Sequence, residues 1–449
     1  MNKIRTSRLS RLAKIGTSLA KVAGGYAVDK IITTAADSTQ KLKTAQELIR
    51  SMGELKGGLM KIGQMLSITD DMILPPEISA LFKDLQKNSP PMSYQQVEDI
   101  FMNEFKQTPS QLFKEFSKKP IAAASIGQVH EAVTKQGDKV AVKIQYPNIE
   151  KAIQSDLSNL DQLDKIFSLI FPHKPNVKGL IREITENLLL ECNYQNELNE
   201  MIKFKELYAQ EFPEIYIPNV YPELSCQRIL TTEFVTGDSF EESKNYPQAV
   251  KEKLATTLYN SFLYSLFVHN RLHTDPQNGN YLFKNGKIIL LDFGSTKTFT
   301  DFFIDNYILT CAAVEHNDLK VYQHAAKNLG LVKDDNDQAQ LRRIYGLSEA
   351  IYRPFLLEGA YPVQEMNPLK MILDFIMSIE KREKYEPLKE FVLLDRSNIG
   401  LFTKLKQWQA AVNWHDGRKK YQMLREKSAI MKLGEEFNYL KKIYERQVS

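Results

Sequence analysis

Residues 273–294, HTDPQNGNYLFKNGKIILLDFG, constrain the fold more than any other stretch of the chain. Two carboxylates, Asp275 and Asp292, flank an asparagine, Asn280, and a pair of apolar runs. The Asn285-Gly286 step between those runs predicts a two-residue type I′ turn, which needs positive φ at both central residues. The runs are therefore read as a hairpin. Such a hairpin carries the second carboxylate back toward the loop that holds the first.

Asp275 and Asn280 have the Asp-x-x-x-x-Asn spacing of a phosphoryl-transfer catalytic loop. In such a loop the aspartate stands near the acceptor and the asparagine oxygen near a metal. Asp292, in DFG, is then the carboxylate for the Mg²⁺ that bridges nucleotide phosphates. Lys143, in VAVK, is a strand lysine between apolar neighbours, suited to the α- and β-phosphates of ATP. It needs a carboxylate partner on a nearby helix, and residues 182–200 are rich in glutamate. TTEFVTG at 231–237 ends a β-type run. At a hinge, the backbone from Glu233 to Val235 meets the adenine.

The stretch IAAASIGQVHEAV at 121–133 stands where a phosphate loop wants glycines. Glycine lets the backbone approach phosphate at φ > 0, and alanine carries a Cβ. Ala122, Ala123 and Ala124 are therefore expected to make a stiffer nucleotide loop, with Ser125 offering its hydroxyl or amide to phosphate.

The surrounding pattern is ordered. Residues 45–67 place Ala45, Leu48, Met52, Leu55, Leu59, Ile62 and Leu66 at helical intervals. SYQQ reads as a capping box that opens a helix over roughly 94–106. Short strands and a hairpin follow from residue 120, then a helical stretch over roughly 148–210, and strands return at IYIPNVY and RILTTEFV. From 247 the chain is helical apart from the hairpin at 281–291. The expected fold is α+β and bilobal, like a protein kinase. Its expected parts are a basic segment 1–44, a helical extension 45–118, an N-lobe 119–237 and a helical C-lobe 238–449.

Composition narrows the classes. The chain has 449 residues, 43% of them hydrophobic, and a net charge of +4 from 59 basic and 55 acidic residues. That balance does not point to nucleic acid as a partner. Three cysteines, Cys192, Cys226 and Cys311, lack CxxC spacing, which excludes a disulfide framework and a cysteine zinc site. His130, His269 and His273 flank the motifs, with no metal spacing among them. No run of about 18 apolar residues marks a membrane span. The first 28 residues are free of acid and carry Lys3, Arg5, Arg8, Arg11, Lys14 and Lys21. They read as a basic amphipathic helix on a membrane surface, an organelle-targeting segment, or a solvated helix packed on its own protein.

Taken together, these residues resemble the ABC1/UbiB/ADCK atypical kinases, AarF-like in bacteria and COQ8-like in eukaryotes, over roughly 45–300. A weaker likeness runs to about 410, where DRSNIGLFTKL at 395–405 looks like a family helix contact. KIGQ at 61–64 is similar to the family's KxGQ motif, AAAS at 122–125 to its alanine-rich loop, and LECNYQNE at 190–197 to its ExD motif and helix glutamate. HTDPQNGN and DFG match its catalytic and metal motifs. The resemblance implies that Lys143 pairs with Glu197, that Asp275 is the catalytic aspartate, and that Asn280 and Asp292 ligate Mg²⁺. Lys61 and Gln64 would lie over the nucleotide site, occluding the channel where a protein kinase admits a peptide, and Glu191 would belong to the ExD motif. It further implies ATPase activity and support of ubiquinone biosynthesis, through membrane lipids or lipid-enzyme assemblies rather than protein phosphorylation. The expected partners are nucleotide, membrane lipids and ubiquinone-biosynthesis enzymes, with a homodimer as the assembly. The expected location is cytoplasmic and peripheral on the inner membrane, or the mitochondrial matrix in a eukaryote.

Two departures stand out. Asn193 replaces the ExD aspartate, and a neutral amide ligates a cation more weakly than a carboxylate. Gln277 and Asn278 replace the usual histidine and proline of the catalytic loop. The alternative reading is a nucleotide-binding, pseudokinase-like regulatory or lipid-binding module. A conventional protein kinase is disfavoured, because no Ala-Pro-Glu follows DFG.

Overall fold

The computed structural model describes residues 91–124, 126–157, 186–332, 337–363, 371 and 387–447. The KIGQ helix, the basic first segment, FPHKPN and Ser125 lie outside them. The described chain forms two compact units with a boundary near Phe204, and residues 217–236 and 292–295 belong to the first.

The first unit opens with helix α1 (Tyr94–Phe105), capped as its sequence demands: Ser93 and Gln96 form a reciprocal capping box. Strands β1 (Glu115–Phe116), β2 (Ala122–Ala123), β3 (Gly127–Val133) and β4 (Lys139–Gln145) follow, then helices α2 (Ile149–Leu157) and α3 (Tyr194–Tyr208). The chain adds β5 (Ile215–Tyr216) to the second unit and returns for β6 (Ile229–Glu233). The sheet runs β1-β3-β4-β6, with β2 also on β3, and all its pairs are antiparallel.

Alternation along β4 assigns its faces. Val140, Val142 and Ile144 are fully buried and pack with Ala132, Ile229 and the α1 residues Val97, Ile100 and Phe101. Lys143 therefore stands on the other face. Register sets Lys143 opposite Val129, and Val129 opposite Ala122, so Ala122 lies in the same cross-strand row.

His130 belongs to the core face, opposite Val142, and not to the face of Lys143. Its ring stacks on Phe116 with centroids 5.1 Å apart. Gln128 accepts from the Met92 N–H at 2.8 Å and donates to His130 Nε2 at 2.8 Å, while Nδ1 donates to the Ser117 carbonyl at 2.7 Å. Both ring nitrogens are thus committed in the neutral form, and burial pushes the imidazole pKa down. Below its ordinary value near 6.5 the unfolded chain takes up a proton that the folded chain refuses. Stability is therefore present above that pH and is lost as pH falls. The loss in melting temperature from about pH 7.5 to about pH 5.5 should be smaller in His130→Phe than in the wild type. Equal slopes would refute the assignment.

The second unit contains a four-stranded sheet in the order β5-β10-β9-β7, from β7 (Asp238–Ser239), β9 (Tyr281–Lys284) and β10 (Lys287–Leu290). The turn between β9 and β10 has φ of 52° at Asn285 and 72° at Gly286, as type I′ requires. Around this sheet and beyond it lie α4 (Gln248–Leu263), α5 (Asp301–Glu315), α6 (Leu319–Asn328), α7 (Gln338–Leu356), α8 (Glu390–Gln407), α9 (Trp414–Tyr421), α10 (Met423–Met431) and α11 (Asn438–Gln447). Two small antiparallel ladders qualify the expectation of a single hairpin after residue 247. β8 (Arg271–His273) pairs with β11 (Thr296–Thr298), and β12 (Tyr361–Pro362) pairs with β13 (Ala411–Val412). Segments of two or three residues are too short to show a strand period. Trp408 and Trp414 are fully buried, Trp408 against Phe240 and Phe283, as packing residues. Among the described residues no helix is long and apolar enough to cross a membrane.

Candidate functional site

In the first unit, Lys143 is the centre of an ion cluster. Its Nζ lies 3.0 Å from both Glu197 oxygens and 2.7 Å from Asp292 Oδ2. Strand alternation turns Lys143 away from the core, and α3 brings Glu197 to it on its first turn. Asp292 Oδ1 accepts the Gly294 N–H at 2.9 Å, so a tight local turn orients that carboxylate. The Phe293 ring packs on Phe204 of α3, 5.1 Å between centroids, and fastens the DFG segment to the helix that carries Glu197. A Cβ on Gly294 would stand 3.3 Å from Asp292 Oδ1 and 3.4 Å from both Glu191 Cγ and Glu197 Oε2.

The electrostatics follow from two carboxylates sharing one ammonium. Burial, and then the Asp292 charge, push Glu197 up to about 7, against the pull of Lys143. Burial disfavours the Lys143 charge, but Asp292 and Glu197 outweigh it, so the ammonium is held above its usual range. With both acids ionised the cluster carries one excess negative charge. The Lys143 ammonium also lies 5.0 Å from the centroid of the Tyr194 ring.

The neighbouring predicted residues are placed as follows. Ala122 and Ala123 form β2 on the edge of β3, and the Ala124 N–H is committed to the Gly127 carbonyl at 2.9 Å. Gly127 has no room for a side chain, since a Cβ would meet the Ile144 carbonyl oxygen at 2.2 Å. The alanine segment is thus a paired strand with a tight return. At the end of β6, the Glu233 N–H goes to the Asn219 carbonyl and its carboxylate accepts from Asn219 Nδ2 at 3.0 Å. The Phe234 N–H goes to the Lys139 carbonyl, and half-buried Val235 follows. Asn193 Oδ1 accepts the Gln195 N–H at 3.1 Å, a local turn at the head of α3. Glu191 is 7% exposed. Lys61, Gln64 and Ser125 lie outside the described residues.

In the second unit, β8 leads into the loop that holds Asp275, which is buried, and a 3₁₀ turn Asn278–Asn280 closes it. Asn280 Nδ2 donates to Asp275 Oδ2 at 3.0 Å, which leaves its Oδ1 as the acceptor able to meet a cation. The Leu291 N–H donates to the Asn280 carbonyl and ties the hairpin to the loop. Two residues not foreseen as site residues reach this loop from α8. Arg396 Nη2 donates to Asp275 Oδ1 at 2.6 Å, and Lys404 Nζ donates to the Pro276 carbonyl. The segment DRSNIGLFTKL holds the signal that could have found them: Arg396, Gly400 and Lys404 recur at every fourth residue.

A family model described as the ABC1 atypical kinase-like domain matches residues 84–325. The chain is 30% identical over 446 residues to the probable serine/threonine-protein kinase abkA of Dictyostelium discoideum, covering 92% of this chain and 78% of that one. It is 28% identical to the mitochondrial atypical kinase COQ8B of Rattus norvegicus, over 92% of this chain and 80% of the relative. Mitochondrial atypical kinase COQ8 of Saccharomyces cerevisiae is 31% identical, over 69% of this chain and 64% of the relative. Among solved structures, Rv3197 of Mycobacterium tuberculosis, in complex with erythromycin, superposes with a TM-score of 0.58 at 23% identity, over 87% of this chain and 98% of that one. That likeness establishes the kinase-like fold. With more than half of its length inside the family model, the chain belongs to the ABC1 atypical kinase-like family.

Proposed function

We propose that this chain is a Mg²⁺-dependent, kinase-like ATPase that supports ubiquinone or related isoprenoid-lipid biosynthesis and does not phosphorylate proteins. The observation that carries the reading is Lys143 held at 3.0 Å by Glu197 and at 2.7 Å by Asp292. A fixed ammonium with a carboxylate on each side is what nucleotide phosphates and their metal require.

Lys143 binds the α- and β-phosphates, and Glu197 keeps its ammonium aimed. The Asp292 carboxylate in the first unit is a candidate ligand for Mg²⁺, and in the second unit the Asn280 amide oxygen is a candidate cation ligand. Hard oxygen donors suit this ion, which takes one or two protein oxygens and completes its shell with phosphates and water. Bound there, Mg²⁺ would neutralise charge on the phosphates. With both acids ionised, the excess negative charge of the Lys143 cluster also suits a cation. Asp275 orients the attacking water, and the backbone from Glu233 to Val235 meets the adenine. Ala122, Ala123 and Ala124 cover the phosphates, and the roles of Ser125 toward phosphate and of Lys61 and Gln64 against a peptide acceptor rest on the family resemblance alone. The lipid role follows the family resemblance and the COQ8 names of the rat and yeast relatives.

The test is ATP turnover by the full chain, with Mg²⁺ or with chelator, and with or without liposomes containing cardiolipin. Mg²⁺-dependent release of phosphate, raised by the liposomes, is expected. Nucleotide binding without turnover under every condition would replace the enzyme reading with that of a regulatory module.

A further inference from the structure

Helix α8 begins at Glu390, beyond the residues matched by the family model. Yet one stripe of it is built against the Asp275 loop. Arg396, Gly400 and Lys404 follow at i, i+4 and i+8, on one helical face. A Cβ on Gly400 would stand 2.0 Å from Pro276 Cβ, so helix and loop touch where the glycine has no side chain. Lys404 donates to the Pro276 carbonyl, and its ammonium lies 4.4 Å from the centroid of the Tyr281 ring.

Arg396 is the member of this stripe that reaches the reacting group. Its Nη2 is 2.6 Å from Asp275 Oδ1, and the two side chains are only 6% and 7% exposed. Asn280 holds the other oxygen, Oδ2, at 3.0 Å. Two donors of different origin on two oxygens fix the plane of the carboxylate as well as its position. Arg396 Nε and Nη1 are buried and find no partner among the described residues. Each such buried group carries an uncompensated desolvation cost. An arginine kept for stability alone would be better satisfied, and apolar groups of its volume often serve a core as well.

We infer that Arg396 is a positioning residue that holds the Asp275 carboxylate in its working orientation. The inference rests on the proposed ATPase reading and adds to it a residue from the C-terminal helices. A misplacement of about 1 Å at a reacting group costs on the order of 10²-fold in rate. Arg396→Met should therefore lower kcat for ATP about 10²-fold, while KM and the Kd for Mg·ATP stay within about threefold. Arg396→Lys, which keeps the charge on a similar stem, should recover about tenfold of that loss.

The decisive experiment is a double-mutant cycle on the full chain, reading ATP turnover, Mg·ATP binding and melting temperature. In an Asp275→Asn background, Arg396→Met should add almost nothing, because the two residues act as a unit. Multiplying losses would overturn the inference, as would a rise in KM matching the fall in kcat, or a loss that Arg396→Lys does not recover. Wild-type turnover with Arg396→Met unimpaired would overturn the inference alone. A wild-type chain that binds Mg·ATP without turnover would overturn the inference together with the ATPase reading.

Discussion

Asp292→Asn is expected to weaken Mg·ATP binding by at least about 100-fold, or about 2.7 kcal/mol, and to reduce ATP turnover to background. The change removes one charge and almost no volume. Oδ1 of the new amide can still accept the Gly294 N–H, so the local turn survives. What disappears is the anionic oxygen offered to the metal. With Oδ1 kept on Gly294, the amide Nδ2 replaces Oδ2 beside the Lys143 ammonium and cannot accept from it, so that bond is lost while the Lys143–Glu197 pair remains one-to-one. Asp292 is the second cause, after burial, of the raised Glu197 pKa. Relief of Glu197 and loss of the Lys143 bond oppose each other, so the melting temperature should move by only a few degrees while binding fails, which separates a lost ligand from a lost fold. Titration calorimetry with Mg·ATP and a thermal melt on one preparation read both quantities. Wild-type affinity in the variant would remove Asp292 from the metal site.

The largest effect on stability is expected at Arg418, in the helical second unit. Its side chain is 1% exposed and bridges two glutamates, Glu315 at 2.5 Å and Glu426 at 2.8 Å. Glu426 is fully buried and also accepts from the Tyr444 hydroxyl. Burial pushes the Glu426 pKa up, and Arg418 is the chief influence holding it down. Arg418→Met leaves that carboxylate without its cation in the interior. Breaking a buried pair from one side costs about 3–5 kcal/mol. The denaturation midpoint of this unit should fall accordingly. Arg418→Met combined with Glu426→Leu should regain much of the loss, because removing both charges also removes the desolvation penalty. A double variant as unstable as the single one would show that the cluster is held by packing rather than by charge.

Legibility in the sequence follows the range of each interaction. The Ser93–Gln96 capping box and the Asn285-Gly286 turn are settled within four residues, and both could be read directly. Strand alternation put Val140, Val142 and Ile144 on one face and Lys143 on the other, a consequence of the two-residue period. His130 shows where that reasoning stopped. It neighbours the alanine segment in sequence, but the same period places it in the core with Phe116. The ladder of β8 with β11 was invisible because three residues carry no usable period.

The sequence by itself determined the order of the lobes, the kinase-like motifs and the identity of the charged groups, since spacing and turn chemistry act over a few residues. Only the tertiary structure decided which charges meet. Lys143 and Asp292 are 149 positions apart, and Arg396 and Asp275 are 121 apart. An ion pair between such positions leaves no local periodicity. It forms because separate elements are packed until burial makes each charge need a partner, and that choice is made by the fold as a whole.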